Sequence, residues 1–296
     1  GMPTPTAPAT KVIPTNTPRL FAAWKGLGTD QRLFWSSFNG TSWIDQQLIP
    51  DLASSAGPAL AVFGTKLYMV WKGPDSDTRL YWTTFNKTAW ASQQQIPQAT
   101  TGASPTLAVL GNKLYLVWAG TNQNLNLSSF YGHAWSSPQA LSGKGSSTRP
   151  VMTSFGGKIY MAWKGTGTDQ HLFWASFDGT TWTAQQQPQG APLSSDGPAL
   201  GSQGNTLYQT WKDANSPSIF WSSLNGTTWA APQAIAKTSA GTGPTLANFN
   251  GRLRMSWKGA GNNQFVYWNI FTGTGWTAAR PFGGFASSAG PALSVL

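Results

Sequence analysis

The sequence predicts an all-β protein, a six-bladed β-propeller of four-stranded antiparallel blades whose ring is closed by the C-terminal strand completing the N-terminal blade. Two observations predict it. A tryptophan-rich unit of about 46 residues occurs six times along the chain, and this period is typical of propeller blades. A segment resembling the first strand of a unit stands alone at the C-terminus. Together they indicate a ring rather than an open array.

Three tryptophan positions define the repeat, and they account for all 17 tryptophans of the chain. The first lies in a W-K-G motif or a variant of it, at Trp24, Trp71, Trp118, Trp163, Trp211 and Trp257. The second follows within the next strand, at Trp35, Trp82, Trp174, Trp221 and Trp268, with Leu127 in repeat three. The third closes each unit, at Trp43, Trp90, Trp135, Trp182, Trp229 and Trp276.

Repeat two illustrates the four strands expected in each unit. Its predicted strands are residues 58–63, 67–72, 80–85 and 90–96. Val, Leu, Tyr, Phe and Trp dominate these stretches, as is usual in strands. Gly64-Thr65-Lys66 joins the first pair and Asn86-Lys87 the second, and other copies have Asn-Gly or Asp-Gly, which favour tight hairpins.

The two ends of the chain complement each other. The first W-K-G motif has no first strand before it, whereas the last first-strand segment, around Gly290-Pro291, has no strands after it. Residues Ser287 to Leu296 are therefore predicted to complete the blade that begins at Arg19, which avoids unpaired sheet edges. Residues 1–18, rich in Pro and Thr, are predicted to be a tail or linker, and residues 19–296 one propeller domain.

Composition excludes several kinds of function. The chain has no Cys, so disulfides and thiolate metal sites are ruled out, and the histidines His133 and His171 have no partner pattern, so neither metal nor cofactor is expected. The net charge is +10, but the basic residues are spread along the repeats, which argues against nucleic-acid binding. No apolar run approaches the roughly 18 residues of a membrane span, so no membrane insertion is expected.

The repeat pattern W-K-G-x-G-x-D-x-x-L-F-W-x-S-F-N-G-T-x-W, carried best by residues 24–43 and 163–182, resembles two groups of proteins. One is the fungal fucose-binding lectins, and this resemblance implies six blades with sugar pockets between neighbouring blades. Those lectins use Arg and Glu in each pocket, and this chain has no Glu, so that ligand set cannot be carried over. The pattern is also similar to sialidase-like repeat modules of bacterial extracellular proteins. Sialidases use an activating Glu and an Arg cluster, and the seven Arg of this chain share no repeated position.

The remaining candidates for a site are polar residues repeated around the loop that joins strands two and three. They are Lys25, Lys72, Lys164 and Lys258 after the first Trp, then Asp30, Asp77 and Asp169, with Asn263 at the same place in repeat six. In the functional interpretation, the second Trp of each repeat (Trp35, Trp82, Trp174, Trp221 and Trp268) presents a ring face to a sugar, while Lys and Asp bind its hydroxyls. In the structural interpretation, Lys and Asp pair locally and the Trp rings fill the space between blades.

The copies are not equivalent. Repeats one, two and four carry the whole cluster and repeat six nearly so, whereas repeat five has a shorter loop with Asp213. Repeat three replaces the Lys by Ala119 and the second Trp by Leu127, in a loop two residues shorter. These losses occur together, which indicates a single local cluster.

The function expected from these patterns is a non-catalytic, multivalent carbohydrate-binding propeller. Its sites would lie on the face of the strand two–three loops, its partners would be glycans or glycoconjugates, and its location would be extracellular or at a cell surface. One alternative is a sialidase-like glycoside hydrolase or its inactive relic. An active hydrolase requires two close carboxylates. The other is a protein-interaction scaffold with an exposed aromatic patch.

Overall fold

The computed structural model describes residues 17–296, and every regular element in that range is a β-strand. No helix long and apolar enough to cross a membrane is present there. The predicted tail therefore falls almost entirely outside the described residues. The all-β prediction is confirmed.

The strands are grouped by blade, each in order from the centre of the ring outward. Blade one contains β24 (Ala292–Val295), β1 (Leu20–Lys25), β2 (Arg32–Phe38) and β3 (Gln47–Ala53). Blade two contains β4 (Ala59–Phe63), β5 (Lys66–Lys72), β6 (Arg79–Phe85) and β7 (Gln94–Thr100). Blade three contains β8 (Thr106–Leu110), β9 (Lys113–Ala119), β10 (Asn124–Phe130) and β11 (Gln139–Gly145). Blade four contains β12 (Val151–Phe155), β13 (Lys158–Lys164) and β14 (Leu172–Phe177). Blade five contains β15 (Ala199–Gln203), β16 (Thr206–Lys212), β17 (Ile219–Asn225), then β18 (Thr228–Trp229) and β19 (Gln233–Ile235), both paired with β17. Blade six contains β20 (Thr245–Phe249), β21 (Arg252–Lys258), β22 (Phe265–Ile270) and β23 (Arg280–Ala286).

The six innermost strands form a closed ring. Following the blades in order, β24 contacts β4, β4 contacts β8, β8 contacts β12, β12 contacts β15, β15 contacts β20, and β20 returns to β24. Within every blade, neighbouring strands are antiparallel. The structure is thus the six-bladed β-propeller that the repeat predicts.

The C-terminal strand closes the ring as predicted. Strand β24 pairs antiparallel with β1, with Leu20 opposite Val295 and Ala23 opposite Ala292. Beyond the strand ends, the backbones of Arg19 and Leu296 exchange two hydrogen bonds of 3.0 Å. The first blade is therefore built from both ends of the described chain.

The outermost strands differ from the sequence prediction. In blade two the fourth strand is Gln94–Thr100 instead of residues 90–96. Trp90 makes an isolated bridge to Phe85, and its ring packs on the Phe85 ring with centroids 4.9 Å apart. The third Trp thus belongs to the hairpin and the core, and the strand resumes only after it. In blade four this position is reduced to two bridges, Trp174 with Gln186 and His171 with Leu193.

The core lies between the blades. The second Trp of one blade packs against the third Trp of the next blade, edge to face, in five of the six interfaces. These pairs are Trp35–Trp90, Trp82–Trp135, Trp174–Trp229, Trp221–Trp276 and Trp268–Trp43, with ring centroids 6.0–6.4 Å apart. In the sixth interface, Leu127 takes the Trp position and shares a cluster with Trp182. The repeated Trp positions therefore hold neighbouring blades together.

Candidate functional site

The loops between strands two and three are built around the repeated Asp or Asn. In blade two, the Asp77 carboxylate accepts a hydrogen bond from the backbone N–H of Arg79 at 3.0 Å, which fixes the turn. A Cβ on Gly73 would lie 2.4 Å from Cγ of Asp77, so the Gly of W-K-G is required by the side chain packed over it. Gly26, Gly165 and Gly259 stand in the same relation to Asp30, Asp169 and Asn263. The predicted cluster is thus brought together in each of these loops.

The repeated Lys attaches this loop to its surroundings. Lys72 Nζ donates to Ser55 Oγ at 2.7 Å, in the link from the preceding blade, and to the Asp77 carbonyl at 3.1 Å. Lys164 donates likewise to Ser147 Oγ at 2.9 Å, whereas Lys25 and Lys258 donate to carbonyls of their own loops. Burial lowers the pKa of Lys72, and the nearby Asp77 and Asp75 oppose that shift. The loop and the inter-blade link therefore share one face of the ring.

Blade three keeps part of this design without Lys or Asp. The Asn122 side chain accepts a hydrogen bond from the Asn124 N–H at 3.0 Å, as Asp77 does for Arg79. Thr101 Oγ1 donates to the Ala119 carbonyl, tying the loop to the link. The sequence comparison missed Asn122 because the loop is shorter and its spacing is shifted.

The second Trp of each repeat lies mainly in the core between blades. Trp35 is 1% exposed, and Trp174, Trp221 and Trp268 are 5–8% exposed. Trp82 is half-buried, stacked parallel to Tyr68 with centroids 6.0 Å apart. A ligand role for these rings stays a prediction, and it has most surface available at Trp82.

A different set of aromatic rings borders the loops, at the residue just before the second Trp. Each stacks on the first Trp of its own blade with centroids 6.2–6.4 Å apart: Phe34, Tyr81, Phe173, Phe220 and Tyr267. All except Phe34 are half-buried. Sequence reasoning missed them, although strand alternation would have found them, because residues opposite each other in a ladder share a face and Trp24 pairs with Phe34.

In blades two and six this ring is hydrogen-bonded to the loop residue. Tyr81 Oη donates to Asp77 Oδ2 at 2.6 Å, and Asn263 Nδ2 donates to Tyr267 Oη at 2.8 Å. The Arg79 guanidinium beside Asp77, helped by Tyr81, holds the pKa of that carboxyl well below its usual range. Burial, together with the hydrogen bond to Asp77, raises the pKa of Tyr81. Each unit thus joins an aromatic ring to a directed polar group.

Blade four carries a variant of the same unit. His171 replaces the Arg, and its Nδ1 lies 2.7 Å from Asp169 Oδ1. Within residues 17–296 no Lys or Arg lies over the Phe173 ring, whereas Arg79 lies 5.7 Å from the centre of the Tyr81 ring. One face of the Phe173 ring is therefore free of a cation, whereas the Tyr81 ring has a guanidinium over it.

Cavities open between blades and along the ring axis. A cavity of about 440 Å³ lies between blades three and four, lined by Lys144, Asp169 and Phe173 among others. A second, of about 620 Å³, lies between blades one and two beside Asp51 and Trp90. The axial channel holds about 410 Å³ within a wall of innermost strands, and its mouth about 300 Å³ next to Arg149 and Asp196. Each of these four cavities is lined by at most one carboxylate.

Among residues 17–296, no group of three or more His, Asp or Glu is arranged to hold a metal ion. His171 is paired with Asp169, and His133 lies against Tyr131 in a hairpin, with ring centroids 5.1 Å apart. The two histidines therefore occupy separate local settings.

No protein-family model matches the chain, and no curated protein matches it. Solved structures do. AofleA from Arthrobotrys oligospora is similar over 93% of this chain and 89% of its own, with a TM-score of 0.67 and 14% identity. The fucose-specific lectin from Aleuria aurantia is similar over 91% and 97%, with a TM-score of 0.65 and 13% identity. The Hadza microbial sialidase Hz136 is similar over 89% and 68%, with a TM-score of 0.62 and 12% identity.

At these identities the comparison concerns the fold. The Aleuria aurantia lectin is itself described as a six-bladed β-propeller. The present chain is a six-bladed β-propeller of the same architecture, and the resemblance predicted from the repeats is confirmed at that level.

Proposed function

We propose that the protein is a non-catalytic carbohydrate-binding propeller whose sites lie in grooves between blades, on the face of the strand two–three loops. One observation carries this proposal. In blades two and six a half-buried ring is hydrogen-bonded to an Asp or Asn of the loop, Tyr81 to Asp77 and Tyr267 to Asn263. In blade four the half-buried Phe173 lines the same cavity as Asp169. A flat apolar surface with a few directed polar groups suits a sugar.

The repetition supports more than one site per ring. Three such pairs of ring and polar residue are carried by different blades of one ring, so a surface bearing many glycans can engage several at once. The groove in front of blade one is different, because Phe285 of blade six stacks on Trp24 with centroids 4.9 Å apart and Phe34 is 7% exposed. We therefore assign the proposed sites to blades two, four and six.

Two features support the absence of catalysis. The chain contains no Glu, and each of the four cavities described is lined by at most one carboxylate. Glycoside hydrolysis ordinarily uses a pair of carboxyl groups flanking the scissile bond. The fold shared with a sialidase leaves the hydrolase as the alternative, and release of product from a glycoside substrate would favour it.

The scaffold alternative has less support. Among the described residues, the exposed large apolar side chains are Tyr131, Leu193 and Phe265. Tyr131 follows β10 in blade three, Leu193 follows β14 of blade four, and Phe265 begins β22 in blade six. They are too dispersed to form one contiguous patch.

The extracellular or cell-surface location follows from glycan binding and stays part of the proposal.

A glycan array probed with the purified protein tests the proposal. We expect retention on a defined subset of glycans, and retention weakened by Tyr81→Ala, Phe173→Ala and Tyr267→Ala, each of which removes one ring. Tyr131→Ala is the matched control, since it removes a 54% exposed ring from a strand three–four hairpin. Retention on no glycan, or equal loss with Tyr131→Ala, would contradict the proposal.

A further inference from the structure

Four cationic side chains within residues 17–296 are buried: Lys25, Lys144, Lys164 and Arg254. Lys25 donates to two loop carbonyls and Lys164 to Ser147 Oγ. The Arg254 guanidinium lies 4.9–5.5 Å from the ring centres of Phe38, Phe249 and Trp268, which interact favourably with a cation. Lys25, Lys164 and Arg254 thus each have interaction partners within the chain, although Arg254 Nε is buried without a hydrogen bond.

Lys144 is the exception. It is 8% exposed, and within the described chain its ammonium has no hydrogen-bond acceptor, ion pair or facing aromatic ring. Burial lowers the pKa of Lys144, and no carboxylate opposes that shift. The side chain is largely covered, but its ammonium is not among the fully buried atoms and opens onto the cavity between blades three and four. It therefore presents to that cavity a charge that no group of the described chain neutralises, and an anion from outside can bind there.

The propeller does not need a cation at this position. Lys144 is the sixth residue of β11, the fourth strand of its blade. The sixth residue of the fourth strand is Leu52 in blade one, Ala99 in blade two and Phe285 in blade six. Those side chains are 2–9% exposed and fill the interface with apolar atoms. A leucine or phenylalanine would therefore serve packing better than a lysine.

The space that Phe285 fills in its own interface is open here. The cavity between blades three and four has a volume of about 440 Å³, within the range of small-ligand sites. Lys144 and Leu141 line it from blade three, and Phe173 and Asp169 line it from blade four. The side-chain amides of Asn124 and Gln185 also border it and make no hydrogen bond within the described residues. The cavity thus combines one unpaired cation, one aromatic ring, free amides and one carboxylate, Asp169, which is paired with His171.

We propose that the groove between blades three and four binds an acidic saccharide, a sugar bearing a carboxylate or a sulfate. Its anionic group bonds to the Lys144 ammonium, its ring lies against Phe173, and its hydroxyls meet Asn124 and Gln185. This inference rests on the proposed function and names the substrate class of one of its grooves. In the interface between blades one and two the place of Lys144 is taken by Leu52, so the lysine is a particular feature of the groove between blades three and four.

Calorimetric titration with three monosaccharide probes tests it: a neutral methyl glucoside, the methyl glucuronide and glucose 6-sulfate. For the unmodified protein we expect the acidic probes to bind at least roughly tenfold more tightly than the neutral one, as a charge-assisted hydrogen bond implies. The two acidic probes tell a carboxylate site from a sulfate site. In Lys144→Met we expect this advantage to disappear, and in Lys144→Arg to persist.

Lys113→Met is the matched control, because it removes the same charge from an exposed position at the start of β9. Lys144→Met should unfold at the same or a higher temperature than the unmodified protein, which separates loss of binding from loss of folding. Equal affinity for acidic and neutral probes, or full retention by Lys144→Met, overturns the inference and leaves the carbohydrate-binding proposal standing. Binding of no probe, with no retention on the glycan array, overturns both.

Discussion

At the scale of the residue, the loop glycine and the loop carboxylate depend on each other. The Asp77 side chain occupies the volume that a Cβ of Gly73 would need, and three other blades repeat the arrangement. The sequence motif W-K-G is therefore a packing requirement of the turn. The carboxylate that imposes it also forms one side of the proposed groove.

Gly73→Ala should destabilise the protein, because the new Cβ would lie 2.4 Å from Cγ of Asp77. Overpacking of this kind typically costs about 1–3 kcal/mol. Urea unfolding measures the free energy of unfolding. Gly275→Ala is the control, since a Cβ there meets nothing within 4 Å, and it should change stability little. Equal stability of both variants would contradict this account of the motif.

Asp77→Asn tests the electrostatics of the same turn. Arg79 and Tyr81 lower the pKa of Asp77, so its ionised form stabilises the fold above the unfolded pKa near 3.8, and this contribution is lost as the pH falls below it. The variant should be less stable than the parent at pH 6 by about 1 kcal/mol or less, as for exposed ion pairs. The difference should shrink towards pH 2. A difference that stays constant from pH 6 to pH 2 would exclude this linkage.

At single positions, the sequence identifies the polar side of the proposed groove but not its aromatic side. Asp30, Asp77, Asp169 and Asn263 were found because spacing alone exposes a repeated polar residue. The sequence pattern indicates the second Trp as the ring beside them, because Trp is the residue that recurs there. The structure instead places the preceding residue, such as Tyr81, at this position. Strand alternation decides between these two, and it depends on pairing partners that become certain only when the ladder is seen, as with Trp24 opposite Phe34.

At the scale of the element, hairpins and the closing strand were predictable, whereas the outermost strands were not. The Asn-Gly turns and the C-terminal strand segment can be recognised from a few neighbouring residues in the sequence. Strand β7 starts four residues later than predicted because Trp90 is held by the core. It then contains Gln98 at a φ of 59°, beside a register shift that no composition rule marks.

Removing residues 290–296 should open the ring. Strand β1 would keep β2 but lose β24 on its inner edge, and Leu293 and Val295 would leave the cluster that contains Leu20. Loss of two partly buried aliphatic side chains costs about 2–3 kcal/mol, and the bare edge favours aggregation. Thermal unfolding and light scattering measure both effects.

A circular permutant provides the control for that truncation. It joins Leu296 to Thr17 by a short turn and opens the chain between Gly111 and Asn112, so that β24 and β1 become an ordinary hairpin like β4 and β5. It should fold with an unfolding temperature close to that of the parent. A truncated protein as stable as the permutant would show that β24 is dispensable.

At the scale of the whole molecule, the six blades share one scaffold but differ in their grooves. Blades two, four and six carry the ring and polar pair, blade one is filled by Phe285, and blade three has Asn126 at the ring position. Binding to a surface dense in glycans should therefore exceed binding to the free sugar by about 10²- to 10⁴-fold through avidity. Surface plasmon resonance at high and low glycan density measures this gain, and equal affinity at both densities would indicate a single site.

The crystal structure of the protein with the best glycan from the array tests the central proposal most directly. The account predicts saccharide density in the grooves in front of blades two, four and six, against Tyr81, Phe173 and Tyr267, on the face of the strand two–three loops. Density confined to the axial channel, or on the opposite face around Tyr131, would contradict it.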